Sequence, residues 1–374
     1  VMVLDSFYLS FYAVFRAHQN LKYEAVGIMV GQAIIVTAGA AVLLLHLSLH
    51  FLVGAILCGS VFNFFYGWAV LSQQLKIKLR LGFNRTILKV LLTIAAPFAI
   101  SGIFARVYGY IDTVLLSTLA GDQAVGWYSA GYKITFALQF IPLAFAAAIF
   151  PAMANYFATN KAQLAKVFEK SMYYLMIMAV PISLGVFTLA REFIVRMYGA
   201  QFAPTTLALQ ILICSVFFNF LGFPLGSLLN ACNRQVTNTV NMGITMVINI
   251  VLNIILIPLF GAEAYIGAAI AAVVAGASLF FLGLYWAGKI VRYNKIFLLK
   301  GFFKILFSGL LMATAIIFLK PFSSFFFLVP LGAVVYLGSL AALRGFDYAE
   351  IKEFYNSFRN KPAAPINDPA PTEL

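Results

Sequence analysis

The feature that most limits the fold is an apolar run of about twenty residues that recurs along nearly the whole chain. A helix rising ~1.5 Å per residue needs about that length to cross ~30 Å of hydrocarbon. Eleven runs fall near residues 1–15, 25–45, 49–71, 90–118, 126–154, 172–190, 205–229, 239–260, 265–288, 302–319 and 325–343. None alternates in the way a barrel strand would. The expectation is an all-α polytopic membrane protein. Hydrophobic residues at 63%, charged residues at 10% and a mean hydropathy of +0.96 leave no room for an ordinary soluble domain.

A net charge of +13 would point to nucleic acid in a soluble protein. Here most of the Lys and Arg fall in alternate loops, among them Lys76, Lys78, Arg80, Lys161, Lys166, Arg292 and Lys295, and in the tail after Leu343. That asymmetry places those loops and the C-terminus in the cytoplasm by the positive-inside rule. A basic excess spread over six membrane-facing segments is not one patch, so no nucleic-acid partner is expected. Ser72 to Lys89 is the richest basic stretch, either a segment lying on anionic lipid or a solvated linker. Asp347–Arg359 can form a short amphipathic helix, and Lys361 onward is Pro-rich and polar.

Cys58, Cys214 and Cys232 show no paired spacing, and His46 and His50 have no third ligand nearby. Neither a disulfide framework, a metal nor a cofactor is expected. An offset of 216 residues aligns Gly27 with Gly243, Leu43 with Leu259, and Gly67 with Gly283. Copies displaced by six helices keep the same orientation in the membrane, which is one transporter plan, with the substrate path between halves. The chain starts inside a helix, and the first copy is expected to lack its opening spans.

The residues with chemistry lie inside the spans. Arg106, Asp112 and Lys133 occupy two apolar stretches joined by the short turn LAGDQAVG. A charge on a spanning helix costs on the order of 3 kcal/mol, so it faces water or a partner. Asp112 and Lys133 lie at comparable depth on antiparallel neighbours, so an ion pair between them is sterically reasonable, either structural or part of coupling. Arg106 is expected to give positive potential to a central cavity, with Lys133 as second contributor, because a guanidinium fork suits phosphate oxygens. The alternative is a pairing of Arg106 with a distant carboxylate such as Asp5. Asn241, Thr245, Asn249 and Asn253, spaced by four, form a polar stripe that either lines the cavity or bonds neighbouring helices. Gly267, Ala271, Ala275 and Gly276 make a small-residue face for close packing. Pro97, Pro142, Pro181 and Pro224 can bend their spans.

No GxxxxGK[ST], HExxH or GxSxG occurs, and the outer loops are too short for a catalytic domain. The residues therefore point to movement of a substrate rather than its conversion. A membrane glycan polymerase or ligase is the rival class.

The stretch APFAISGIFARVYGYIDTVLLSTLAGDQAVGWYSAGYK, from Ala96 to Lys133, resembles the start of the second half of oligosaccharide flippases in the multidrug, oligosaccharidyl-lipid and polysaccharide exporter superfamily. PLGSLLNACNRQ, from Pro224 to Gln235, is similar to the end of a later helix in the same family, and the pattern extends from about Phe11 to Leu343. The resemblance implies a two-bundle transporter fold of fourteen helices, of which about 11 are present here. By that scheme 1–72 is the remainder of the first bundle, 73–89 a basic cytoplasmic linker, 90–288 the second bundle, 289–343 two extra C-terminal helices and 344–374 a cytoplasmic tail.

The function it implies is turning a polyprenyl-diphosphate-linked glycan across the bacterial plasma membrane by alternating access through a cationic cavity. Arg106 and Lys133 would line that cavity, and Asp112 would serve coupling or tune Lys133. Membrane lipids and glycan-assembly proteins are the implied partners. A cation-coupled drug antiporter of the same fold would favour acidic cavity residues, whereas these two helices offer two cations and one carboxylate.

Overall fold

The computed structural model describes residues 1–17, 20–48, 50–75, 85–322 and 324–345. Among these residues the ordered elements are all helical. The expected tail helix at 347–359 and the centre of the basic stretch, 76–84, lie outside the described residues. The chain divides into two compact units, Val1–Lys89 and Val90–Leu374.

The first unit contains α1 (Met2–Ala17), α2 (Leu21–Leu44) and α3 (His50–Ala69), the last continued by a π-helical turn at Val70–Gln74. Both α1 and α2 pack on α3. Phe11, Tyr12, Phe15, Val70 and Leu71 form its small core. Glycine makes the contacts close: a Cβ on Gly27 would lie 2.0 Å from the Tyr12 hydroxyl, and one on Gly67 would lie 2.9 Å from the Phe11 ring.

The second unit contains all but the first five residues of α4 (Arg85–Ala120), then α5 (Asp122–Leu138), α6 (Phe140–Thr159), α7 (Lys161–Thr188), α8 (Ala190–Tyr198), α9 (Thr205–Ala231), α10 (Gln235–Leu259), α11 (Ala264–Ile290), α12 (Lys295–Leu319) and α13 (Phe325–Ala342). Central to it is α9, which packs against α5, α6, α7 and α11. The small-residue face of α11 is buried as expected, with Gly267, Ala268, Ala271, Ala272, Ala275 and Gly276 all inside. A Cβ on Gly267 would meet the Leu256 carbonyl oxygen at 2.6 Å, so α10 and α11 touch backbone to backbone there. At the other edge α12 packs on α7 and α13. The Tyr336 hydroxyl donates to the Ile177 carbonyl at 2.8 Å. Lys320 reaches the end of α7, donating to the Thr188 carbonyl at 3.2 Å and pairing with Glu192 at 2.9 Å. A cation at a helix C-terminus is favoured by the helix dipole.

Ten helical stretches among the described residues are long and apolar enough to cross a bilayer. The run at 1–15 is the shorter α1, with 16 residues. The run at 126–154 is in fact two helices, α5 and α6, that meet at Gln139 and together form one stretch, Asp122–Thr159. Pro142 explains the break, because proline has no N–H for the i−4 carbonyl and is tolerated in the first turn of a new helix. Pro181 and Pro224 sit inside helices that continue past them. Charged and polar first turns hide the true starts from a search for apolar runs. Thus α7 begins at Lys161 rather than near 172, and the 36 residues of α4 make it roughly 54 Å long.

Candidate functional site

Asp112 is 4% exposed, on the inner face of α4. Its position follows from helical periodicity, since Tyr108, Asp112 and Leu116 recur every four residues on one face. Leu116 is fully buried in the second unit. The Asp112 carboxylate accepts the Tyr128 hydroxyl at 2.5 Å and the Asn253 side-chain amide at 2.6 Å. The same Asn253 amide also donates to the Asn249 carbonyl at 2.8 Å. One turn further along α5, Tyr132 stacks on Tyr128 with ring centroids 5.8 Å apart.

Below that carboxylate the polar stripe of α10 runs inward over its whole length. Asn241 is 2% exposed, and Thr245, Asn249 and Asn253 are fully buried. Twelve residues of helix from Asn241 to Asn253 correspond to roughly 18 Å. Among the described residues, the Asn241 amide, the Thr245 hydroxyl and the Asn253 side-chain carbonyl make no hydrogen bond, while the Asn249 side chain stands against the Asp112 carboxylate. Buried polar atoms are ordinarily paired, by protein or by ordered water. A column of amides and a hydroxyl ending on a carboxylate offers oxygen donors suited to a proton, a hard monovalent cation or a chain of water. Beside it, near Gly276, lie Tyr108, Asn219 and Ser215.

Arg106 and Lys133 are placed elsewhere. Both are exposed on the surface of the second unit, and among the described residues neither makes an ion pair. Arg106 is turned roughly 120° around α4 from Asp112, and Lys133 roughly 140° around α5 from Tyr128. The expected ion pair between Asp112 and Lys133 is therefore corrected. Matching depth did not bring them together because Lys133 lies opposite the buried stripe Ala124, Tyr128, Gly131 and Thr135. It is Tyr128 that meets Asp112. The faces that carry the cations are not purely oily: Arg106 shares its stripe with Gly102, Thr113 and Ser117, and Lys133 with Gly126 and Ser129. Gly102 and Gly126 open onto free space, with no atom within 4 Å of where a Cβ would stand.

In the sequence Tyr128 belongs to a motif that carries no marked role for it, and Tyr108 and Asn219 do not stand out from their apolar helices. The available signal was spacing: Tyr108 precedes Asp112 by four residues, and Tyr128 precedes Tyr132 by four.

With this geometry in place, known proteins give a consistent picture. A family model described as "Polysaccharide biosynthesis protein" matches residues 1–157, and one described as "MatE" matches residues 97–255. A probable low-salt glycan biosynthesis flippase of Haloferax volcanii is 23% identical over 221 residues, covering 59% of this chain. The match takes in 45% of that relative, so the chain spans about half the length of the curated protein it resembles. Among solved structures, the lipid II flippase MurJ in an inward closed conformation aligns over 96% of this chain and 72% of its own, with a TM-score of 0.69 and 15% identity. At that identity the likeness shows the fold.

Proposed function

We propose that this chain is a MATE-like exporter of the polysaccharide-flippase kind, a reading supported by the two family models that match residues 1–157 and 97–255, and that the complete protein turns an anionic polyprenyl-diphosphate-linked oligosaccharide across the bacterial plasma membrane. Transport proceeds by alternating access, with Arg106 and Lys133 lining the aqueous path and the C-terminus in the cytoplasm. The glycan supplies a polysaccharide pathway, and glycan-assembly proteins are the natural neighbours.

One observation carries this reading. Arg106 and Lys133 are exposed and without an ion pair among the described residues, at positions roughly 22 and 18 Å along their helices from the turn at Gly121. Facing acyl chains, each would cost on the order of 3 kcal/mol. Facing water that admits a diphosphate, each gains charge-assisted hydrogen bonds, and the guanidinium can bind two oxygens at once. The glycine and hydroxyl stripes around them favour the second situation. Asp112, with its amides and tyrosine, takes the coupling role: a buried carboxylate whose hydrogen-bond partners among the described residues are neutral can bind and release a proton or a small cation as the helices move. A drug antiporter of the same fold would share that coupling residue, and the cations distinguish the cargo.

The test uses the complete gene. Arg106→Ala is expected to abolish surface glycan without lowering the amount of protein in the membrane, and Arg106→Lys to restore part of it. Normal glycan export by Arg106→Ala would overturn the role of this residue.

A further inference from the structure

A second feature of the unit is independent of the cargo path. Between α7, α9, α11 and α12 lies a groove of about 790 Å³, within the size range that holds an organic ligand. Its depth is aromatic and aliphatic, walled by Phe217, Phe218, Phe281 and Phe302. The Phe217 ring meets Phe302 at 5.7 Å, and Phe218 meets Phe281 at 6.3 Å, so the wall is continuous. At one end, where α11 stops and α12 starts, the lining changes to Lys289 and Lys295.

The two ends differ in a way that selects the occupant. From Phe281 to Lys289 the groove follows eight residues of α11, roughly 12 Å of apolar wall beneath a cationic rim. No ion pair occupies either lysine among the described residues. The Glu169 carboxylate near that rim accepts the Asn294 backbone N–H at 2.6 Å. Lys289 lies over the rings of Tyr285 and Trp286, at 4.3 and 4.9 Å. Tyr and Trp concentrate where head groups meet acyl chains, so these rings put the lysines at the level of lipid phosphate. Just inside the rim, Gly288 lines the groove with nothing within 4 Å of where its Cβ would stand.

We propose that this groove is a binding site for one anionic glycerophospholipid of the surrounding leaflet, its phosphate between Lys289 and Lys295 and an acyl chain against the phenylalanines. Basic pockets between spanning helices recognise anionic head groups in this way. A bilayer phospholipid fits better than the transported glycan lipid, because the rim lies at the level where the membrane's own phosphates already stand, and the described residues that wall the depth are aromatic and aliphatic rather than sugar-binding.

The experiment is native mass spectrometry of the complete protein in mild detergent, with phosphatidylglycerol or phosphatidylcholine of identical chains. The wild type should retain phosphatidylglycerol at least about tenfold better, the scale expected of two lysines near a head group. Lys289→Gln with Lys295→Gln should remove that preference. Gly288→Leu, which fills open space and suits a helix, should lower retention of both lipids while the elution profile stays monodisperse. Equal retention of the two lipids by the wild type, unchanged retention by Gly288→Leu, or displacement of phosphatidylglycerol by an equimolar polyprenyl diphosphate would each overturn the proposal.

Discussion

In the first unit the buried Tyr12 hydroxyl donates to the Asn63 side-chain carbonyl at 2.7 Å, and Asn63 lies so close to Gly31 that a Cβ there would stand 2.4 Å from its amide. In the second unit a buried carboxylate meets a tyrosine and an asparagine, and among the described residues the column below it leaves polar atoms of Asn241, Thr245 and Asn253 without partners. Leaving a buried polar group unpaired costs about 1–3 kcal/mol. The first arrangement is what stability alone selects: neutral, small and closed. The second lowers stability, and its retention makes sense as a place where water, protons or a cation come and go. Under the proposed function, this contrast sets a structural polar contact against a coupling one within a single chain.

The sharpest way to break the contrast is Asp112→Asn, which keeps the side-chain shape and removes the charge. Export should fall on the order of 100-fold, the upper range of a coupling free energy between sites, with membrane abundance unchanged. If export persists, the column is only structural. Reversing the charges of Asp112 and Lys133 together should rescue nothing, since the two lie on different faces; rescue measured as surface glycan would restore the ion pair. Gly267→Ala forces a Cβ into the Leu256 carbonyl and should destabilise the second unit by about 1–3 kcal/mol, read as a lower melting temperature in detergent. Tyr12→Phe should cost about 1 kcal/mol of stability and leave export intact; a transport defect would give the first unit's polar pair a functional part as well. The smallest effect concerns Cys232, just past the membrane-crossing part of α9. Burial pushes its thiol up to about 11, with Lys161 pulling the other way. Maleimide labelling of Cys232 should be slow near neutrality and rise about tenfold per pH unit up to about pH 11. Fast labelling at neutral pH would mean that the apolar core opens at that end.

Much of the fold was legible because lipid imposes a single length and a single secondary structure on apolar runs. Helix starts were less so: Lys161, Lys166 and Lys170 interrupt hydropathy but not the helix. The repeat at 216 residues rests on the sequence alone, and the two glycines it aligns both make close helix contacts. Gly67 of α3 faces Phe11 of α1, and Gly283 of α11 faces Leu225 of α9. The site was half legible. Asp112 and the asparagine stripe stand out as polar residues in oily helices, and their inward direction follows from a four-residue period. What the period could not give was the partner across helices. Depth counted from the turn at Gly121 places Lys133 within reach of Asp112, yet only the rotation of α5 decides that Tyr128 takes that place.

The most direct measurement of the central claim is transbilayer movement of a labelled polyprenyl-diphosphate oligosaccharide in vesicles containing the purified complete protein. The account predicts movement by the wild type and loss of it in Arg106→Ala with Lys133→Ala, at equal reconstitution and unchanged melting temperature. Movement by that double variant at the wild-type rate would contradict it.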